Sequence, residues 1–432
     1  MVSAPAVGPA EPTVSIGQRI GLWVLAAYMI SGILNEWMVR VAGTKAYLSL
    51  IALVALPVVW LASGAALRGL GHPIGRYWAA FVLLLVIDTP FSIWRGGSFA
   101  LLMDYVPRNY LMFFYAAAVC VSLRDCRRLM YFSMATSLGA LLTCASFGRV
   151  SDDGRYFVPG GLGFFQNSNE LALQLLLGIT QFVYLFSQKG VLRKIVSVAG
   201  IVGSVPFIFR TGSRGCVIAA AAYCALFVYT SRHRIRVAAI IAGLLIAGAL
   251  LAPSAALHRI LLLTDESHAA SSDTSAILSE MSRIDLLKRS ISETIRHPLF
   301  GVGPGQFPVA IFEEAKAKGE WTQWLGTHNA YTEVSSECGL PALGCYMAVI
   351  FFCFSLNVRV WKASRDLPNG ADWSNLAIAL LSATTVYAVG SFFFHMAYSG
   401  ALPFLGGQTL ALYFAAKQRL QLGERGLSSA GK

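Results

Sequence analysis

The sequence is poor in charged residues for its length. Only 13% of its 432 residues are Asp, Glu, Lys or Arg, and 56% are hydrophobic, whereas soluble domains carry about 25% charged residues. This shortage excludes an ordinary soluble protein and indicates a chain embedded in a membrane. The net charge of +12 does not indicate nucleic acid, because the Lys and Arg residues are scattered in short loops. We expect them to orient the chain and to contact anionic membrane lipids.

The sequence also lacks the motifs of several common sites. Its eight cysteines form no Cys-x-x-Cys pair and lie mostly in apolar runs, which is typical of small buried side chains. The histidines show no His-x-x-x-His or His-Glu-x-x-His spacing, so we expect neither a metal ion nor a cofactor. A Gly-x-x-x-x-Gly-Lys phosphate loop is missing too, which argues against nucleotide hydrolysis.

Long apolar runs predict an all-α polytopic membrane protein with about twelve transmembrane helices, since a span needs about 20 residues. The first 18 residues lack the basic start and apolar core of a signal peptide, and we expect a disordered cytoplasmic tail there. Nine helices are then expected in 19–253, a long loop in 254–327, three helices in 328–416 and a second cytoplasmic tail in 417–432. The expected spans are 20–38, 46–63, 77–94, 107–123, 129–148, 169–187, 191–209, 215–231, 237–253, 330–357, 375–394 and 398–416.

Basic residues in the loops predict the orientation of the chain. With a cytoplasmic N-terminus, the inner loops carry clusters such as Arg124, Arg127 and Arg128, while the outer loops hold fewer basic residues. The positive-inside tendency therefore favours cytoplasmic N- and C-termini. The long loop 254–327 then faces outward, which is the periplasm in a Gram-negative cell.

Two amphipathic helices are expected in the long loop. The run 282–295 has an apolar stripe at helical spacing, which can rest on the bundle or on the membrane interface. Pro298 ends this helix, a glycine-rich turn follows in 299–307, and a second helix is expected at about 308–318. The stripe consists of Ile284, Leu287, Ile291 and Ile295.

A polar stretch closes the long loop where the chain re-enters an apolar run. His328 can act as a general base there, because the pKa of imidazole lies closest to neutral pH. Ionisable groups at a membrane edge are costly and are therefore candidates for function. The alternative is that His328 anchors a helix end and Tyr331 belongs to an aromatic belt. Glu333 and Glu337 have i, i+4 spacing, and either support of the histidine or pairing on the helix surface stays open.

Arg210 and Arg214 flank a tight turn on the same side as His328. Two guanidinium groups beside flexible glycine backbone can hold a phosphate or a diphosphate through paired hydrogen bonds. The alternative is that both arginines extend to lipid headgroups.

The segment 160–170 is a third polar candidate on that side. The amides of Asn167 and Asn169 can hydrogen-bond to a sugar, or they can cap the helix that follows.

These clusters, in this order, resemble the O-antigen ligase/polymerase superfamily of polytopic glycosyltransferases, and most of all its lipopolysaccharide O-antigen ligases. The resemblance covers about residues 75–415 and implies a GT-C-like glycosyltransferase fold. Each motif is short, and it is their order that is specific. The motifs are Gly163-Phe164-Phe165-Gln166-Asn167-Ser168-Asn169, Thr211-Gly212-Ser213-Arg214-Gly215, Arg283 with His297-Pro298-Leu299-Phe300-Gly301-Val302-Gly303-Pro304-Gly305, and His328-Asn329-Ala330-Tyr331-Thr332-Glu333.

The resemblance implies transfer of a glycan from undecaprenyl diphosphate to an acceptor hydroxyl at the periplasmic face of the bacterial inner membrane, without metal or cofactor. The acceptor is lipid A-core in the ligases and another lipid-linked repeat unit in the polymerases. Arg214 and Arg283, with Arg210 beside them, would hold the diphosphate, and His328 would deprotonate or orient the hydroxyl. One direct displacement would invert the anomeric centre. Further candidates for substrate binding or support are Asn167, Asn169, Asn329, Tyr331 and Glu333.

Three alternatives to a ligase stay open, namely a repeat-unit polymerase for O-antigen or exopolysaccharide, a protein O-glycosyltransferase, and a transporter of lipid-linked sugars. The single long loop and the missing Arg-x10-Gly pattern of some polymerases favour a ligase over a repeat-unit polymerase, which uses the same chemistry. A transporter of lipid-linked sugars would need charged side chains along a path through the bilayer. Asp88 is the clearest charged residue within a span, and it precedes a kink that we expect at Pro90.

Overall fold

Helices form nearly all of the regular structure. A computed structural model describes residues 14–44, 47–151, 154–160, 165, 167–231, 233–251, 271–319 and 324–420. Most of the predicted tails and the start of the long loop therefore lie outside the described residues, as do 161–164 and 166 of the segment 160–170. A short antiparallel hairpin joins β1 (Arg149–Val150) to β2 (Tyr156–Phe157). The α-helices are α1 (Ile16–Ala42), α2 (Leu48–Ala62), α3 (Pro73–Asp88), α4 (Arg95–Tyr105), α5 (Met112–Val119), α6 (Leu123–Phe147), α7 (Ser168–Phe186), α8 (Val191–Arg210), α9 (Arg214–Thr230), α10 (Arg234–Leu251), α11 (Ser271–Arg296), α12 (Phe307–Ala317), α13 (Ala330–Ser364), α14 (Ala371–Gly390) and α15 (Ala401–Leu420).

The chain is an all-α, multi-pass membrane protein. Within its described residues, seven helices are long and apolar enough to cross a bilayer, namely α1, α3 with the turn after it, α6, α7, α8, α13 and α14. Helices α2 and α9 are apolar but shorter. A total of about twelve spans and the GT-C-like class stay predictions.

The expected span 107–123 differs from the observed structure. A π-helical turn (Val106–Tyr110) follows α4, and only the short helix α5 continues from it. Pro107 explains the interruption, because proline has no N–H to donate and its ring clashes with the preceding helical turn. The apolar composition of this segment is thus compatible with a broken helix as well as with a continuous one.

The apolar stripe of α11 faces away from the bundle. Ile284, Ile291 and Ile295 are exposed, by 48%, 45% and 72%. These three side chains are therefore not packed in the interior of the bundle, and the membrane interface is the expectation that stays. The helix instead turns another face to the protein, which buries Leu286, Ser290 and Glu293.

Helix α1 connects two opposite ends of the bundle. At its start, the Ser15 hydroxyl donates a hydrogen bond to the carbonyl of Ser63 (3.4 Å). Near its end, Arg40 Nη2 donates to the carbonyl of Pro159 (2.8 Å), and a helix of this length extends about 40 Å. We call the second end the loop end, and the described segments of interest there are 167–170, 210–215, 297–307, 326–330 and 391–400.

An aromatic core lies between α3, α5, α13 and α14. The indole of Trp78 stacks on Phe81 with ring centroids 5.2 Å apart, and Phe81 contacts Tyr346 at 5.8 Å. The hydroxyls of Tyr346 and Tyr387 are hydrogen-bonded at 2.6 Å. All four side chains are fully buried. Such close-packed aromatic groups form a stiff support for the loop end.

Candidate active site

Helix α13 is kinked one third of the way along its length. Gly339 has φ 78° and ψ 176°, a conformation that only glycine adopts without strain. A Cβ at this position would overlap the backbone of Leu299. The N–H of Leu340 donates to the carbonyl of Pro298 (2.8 Å). The kink therefore fits the first turns of α13 under the glycine-rich turn of the long loop.

Glu337 ties this glycine-rich turn to α13. Its carboxylate accepts hydrogen bonds from the N–H groups of Gly305 (2.7 Å) and Phe307 (3.2 Å), and from the hydroxyl of Tyr398 (2.7 Å). Its backbone carbonyl accepts from the N–H of Gly303 (2.9 Å). Hydrogen bonds to a buried carboxylate are each worth about 1.5–3 kcal/mol. Glu337 thus has a structural task.

Glu333 is also buried and tethers a different segment. Its Oε2 accepts a hydrogen bond from the N–H of Ala397 (3.1 Å), in the connection between α14 and α15. Pairing of Glu333 and Glu337 on the helix surface is therefore wrong, because the two side chains are only 9% and 3% exposed. The i, i+4 spacing gave no sign that the surrounding loops cover this face.

Asn329 and Tyr331 fix the start of α13. The side-chain oxygen of Asn329 accepts hydrogen bonds from the N–H groups of Tyr331 (3.0 Å) and Thr332 (3.2 Å), so Asn329 and not His328 caps the helix. The Tyr331 hydroxyl donates to the carbonyl of Ala388 (2.7 Å). Tyr331 is buried, so an aromatic-belt position is wrong for it.

His328 lies immediately before this cap in a strained conformation. Among the non-glycine residues that the structure describes, only His328 has a positive φ, of 52°. The left-handed region costs an ordinary residue about 1–2 kcal/mol. Backbone strain of this kind is often found at functional sites, where the surroundings over-determine the conformation.

The surroundings of His328 disfavour its protonated form. Burial, the neighbouring His395 ring and the positive charges of Arg283 and Arg155 lower the pKa of His328 to about 4. The imidazole is therefore neutral near pH 7 and has a lone pair that can accept a proton. Arg283, which comes from α11, is thus close enough to act on the histidine, as the order of motifs predicts.

Arg155 connects two of the predicted clusters and was not expected at the site. Its Nη2 donates to Oδ1 of Asn169 (2.8 Å), and its Nε donates to the carbonyl of Thr211 (3.2 Å). Asn167 caps α7 by accepting from the N–H of Asn169 (2.8 Å). Both predicted asparagines therefore support backbone and arginine positions. A lone arginine after the β1 strand carries no motif that could have indicated this.

Arg210 and Arg214 lie on either side of the turn that Arg155 contacts. Arg210 ends α8, and its buried Nε has no hydrogen-bond partner among the described residues. Arg214 is the first residue of α9, and the next residue is Gly215. A Cβ on Gly215 would overlap the Phe393 side chain, so this glycine lets α9 approach the 391–400 segment closely. The two arginines thereby lie at the loop end with His328.

His395 and Glu170 complete the surroundings of His328, and neither was predicted. The rings of His328 and His395 are 5.1 Å apart between centroids, at 69°. His395 Nε2 is 3.2 Å from Oε1 of Glu170. They are 225 residues apart in the sequence, with the seven described helices α8–α14 between them, so no local pattern could have paired them. In the described part of the chain, no set of three His, Cys, Asp or Glu side chains is positioned to hold a metal ion.

The fold and this site define a class, a polytopic helical membrane protein whose arginines and neutral histidine meet at one end of the bundle. Comparison with known families agrees with it. Residues 199–347 match the family model described as O-antigen ligase, and the match includes Arg210, Arg214, Arg283 and His328. Over these residues, about a third of its length, the chain is similar to the O-antigen ligase family, and the match supports the O-antigen ligase superfamily of membrane glycosyltransferase-like enzymes. A search of curated proteins found no match.

Proposed function

We propose that this protein is an O-antigen ligase. It transfers a glycan from undecaprenyl diphosphate to a sugar hydroxyl of lipid A-core, at the periplasmic face of the bacterial inner membrane. The observation that carries the proposal is His328, which is half-buried, has a strained backbone and is neutral near pH 7 beside the charges of Arg283 and Arg155. This combination suits a reaction in which a hydroxyl loses its proton beside a polyanion.

The arginines account for the leaving group. Guanidinium groups match diphosphate oxygens geometrically and stabilise the charge that develops as the bond to the sugar breaks. Arg210 has a buried Nε with no partner among the described residues, which an anionic oxygen of the donor would satisfy. Arg214 and Arg283 would bind the same diphosphate from α9 and α11. The donor is already activated, so positioning and charge stabilisation supply most of the catalysis.

His328 takes the proton of the acceptor hydroxyl. The hydroxyl oxygen forms a bond to the anomeric carbon, the carbon–oxygen bond to the diphosphate breaks, and its electron pair stays on the diphosphate. The donor also helps the base. Burial keeps the pKa of His328 low, and the charges of Arg283 and Arg155 lower it further. The negative charge of the donor offsets these two arginines, so a bound donor raises the basicity of the imidazole.

A single displacement with inversion fits the carboxylates of the site. A retaining reaction would need a carboxylate that is free to attack the sugar. Glu337 accepts three hydrogen bonds from the protein, and Glu333 is buried against the 391–400 segment. Neither of these two is available as a nucleophile, and the third carboxylate of the site, Glu170, lies against Nε2 of His395, which supports direct attack by the acceptor.

A repeat-unit polymerase, for O-antigen or exopolysaccharide, is the second candidate. The family match supports both activities, and the acceptor alone separates them. Deletion of the gene distinguishes them in cells. Loss of a ligase leaves long lipid-linked polymer unattached, whereas loss of a polymerase leaves single repeats on lipid A-core.

The direct test is transfer by the purified protein in detergent. Undecaprenyl-diphosphate-linked glycan and rough lipopolysaccharide are mixed with the protein, and glycan-capped lipopolysaccharide is the expected product. Detergent removes sealed compartments, so a transporter of lipid-linked sugars would give no product. Longer lipid-linked glycan without capped lipopolysaccharide would instead identify a polymerase.

A further inference from the structure

We propose that Glu170 and His395 are positioning residues for His328 and set the tautomer in which it accepts the proton. The three side chains form a carboxyl–imidazole–imidazole series at the loop end. This inference rests on the proposed function for its catalytic meaning, but the geometry of the series is independent of the substrate.

Glu170 orients the ring of His395. The 3.2 Å separation of Glu170 Oε1 from His395 Nε2 is within hydrogen-bonding reach. A carboxyl oxygen accepts, so the proton of the neutral imidazole lies on Nε2. Nδ1 of His395 then carries a lone pair.

That Nδ1 is the unsatisfied atom of the series. It is buried and has no hydrogen-bond partner among the described residues. The His395 ring packs close to Gly326, two residues before His328. A Cβ on Gly326 would be in van der Waals contact with this ring, 3.6 Å from its Cγ. The imidazole of His328 is the neighbouring ring, at 5.1 Å between centroids. In the proposed arrangement, an N–H of His328 donates a hydrogen bond to this lone pair.

Such a hydrogen bond compensates for the weak basicity of His328. When the acceptor proton moves to one ring nitrogen of His328, the other nitrogen must carry its own proton and the ring becomes positive. Nδ1 of His395 accepts a hydrogen bond from that second N–H and stabilises the imidazolium. Electrons and protons balance, since the acceptor proton stays on His328 until the product leaves. The carboxylate in serine hydrolases orients its histidine in the same sense.

Charged groups from three elements lie near this pair and enter its titration. They are Glu170 on α7, Arg155 between β1 and β2, and Arg283 on α11. Burial lowers the pKa of His395 as well, so both rings are neutral near pH 7.

The tautomer is testable without any substrate. Side-chain 15N chemical shifts of the full-length protein in detergent distinguish a protonated Nε2 from a protonated Nδ1. We expect His395 to carry its proton on Nε2, and Glu170→Gln to move it to Nδ1, because the amide can present an N–H to the ring. An unchanged tautomer in Glu170→Gln would overturn the proposal, whether or not the protein transfers glycan.

Kinetics test the catalytic meaning. We expect Glu170→Gln and His395→Gln each to lower kcat by about 100-fold, to leave KM for the donor within about twofold, and to move the acidic limb of the pH profile. Glu170→Asp should recover part of the loss. His72→Gln is the matched control, because His72 packs against Tyr413 at the opposite end of the bundle.

The outcomes separate the two proposals. Wild-type kcat and pH profile in both Gln variants would overturn the positioning role while the ligase function stands. No transfer by the wild-type protein, together with the expected change of tautomer, would overturn the ligase function and leave the Glu170–His395 geometry intact. If Glu170→Gln does not fold, as judged by size-exclusion chromatography, His395→Gln decides alone by the same criteria.

Discussion

The loop end and the aromatic core of this protein solve different problems. The core fills the space between its helices with rings, and the hydroxyls of Tyr346 and Tyr387 satisfy each other there. The loop end buries the carboxylates of Glu333 and Glu337 and holds the half-buried His328 in the left-handed region, and it needs glycines such as Gly339 where backbones cross. The difference teaches that the costly features of this chain are concentrated where a hydroxyl and a diphosphate would meet.

The loop end itself contains two kinds of polar group. Glu337 has three protein donors and holds the glycine-rich turn in place. Arg210 Nε and His395 Nδ1 are buried without a partner among the described residues. Glu337 thus holds the site together. Arg210 Nε and His395 Nδ1 are instead available to hydrogen-bond to a substrate or to a protonated His328.

Loss of the imidazole at the loop end should have the largest effect. We expect His328→Ala to lower kcat for glycan transfer by about 10²–10⁴-fold, which is the usual contribution of a general base. The variant should insert and fold, since Asn329 and not His328 caps α13. Transfer assays in detergent measure the loss, and His72→Ala, at the other end of the bundle, should keep near wild-type activity. Equal activity of both variants would contradict the proposal that the loop end, and not the opposite end, is the catalytic site.

Replacement of Arg214 or Arg283 should lower kcat/KM for the donor. We expect Arg214→Lys to lower kcat/KM for the donor by about tenfold or more, because lysine keeps the charge but not the paired hydrogen bonds. Arg283→Gln should do so too, and it should also raise the pKa of His328 towards its ordinary value, because a neighbouring positive charge is removed. Donor titrations measure the first effect. If the variants change KM for the acceptor but not kcat/KM for the donor, these residues do not bind the diphosphate.

A methyl group at the kink should disturb the loop end without touching the chemistry. We expect Gly339→Ala to destabilise the protein by about 1–3 kcal/mol or more, since Gly339 has φ 78° and a Cβ would overlap Leu299. Gly344→Ala in the same helix is the matched control, because nothing lies within 4 Å of its Cβ position. Thermal unfolding in detergent compares the two. Similar melting temperatures would mean that the kink is not required.

Loss of one hydroxyl in the aromatic core should have the smallest effect. Tyr346→Phe removes the 2.6 Å hydrogen bond to Tyr387 and should cost about 1 kcal/mol of stability. Catalytic constants should stay at the wild-type values, because the core supports the site and does not contact substrate. A selective loss of kcat would show that the core takes part in function.

The sequence predicts those parts of the site that lie in short motifs. The order of motifs predicts Arg283 and His328 at one site; the charge of Arg283 lowers the pKa of His328, and the roles of the two residues stay predictions. The helix expected at about 308–318 corresponds to α12 (Phe307–Ala317). These features depend on residues close together in the sequence. Apolar periodicity and helix-ending residues predict such features well.

Features that depend on packing between distant segments could not be predicted. Glu170, His395 and Arg155 reach His328 from α7, from the connection after α14 and from the hairpin. The burial of Glu333 and Glu337 depends on loops that fold over α13. The exposed stripe of α11 likewise shows that periodicity predicts which residues share one face of a helix. It does not predict what packs against that face.

The pH dependence of kcat/KM tests the central claim, that His328 is a neutral base at a positively charged site, most directly. The lowered pKa means that the free enzyme holds its base deprotonated above about pH 4. As the pH falls from 8, activity should therefore persist through the ordinary histidine range and be lost only near pH 4, and His328→Ala should remove this limb. Loss of activity near pH 6.5, or an unchanged limb in His328→Ala, would contradict the account.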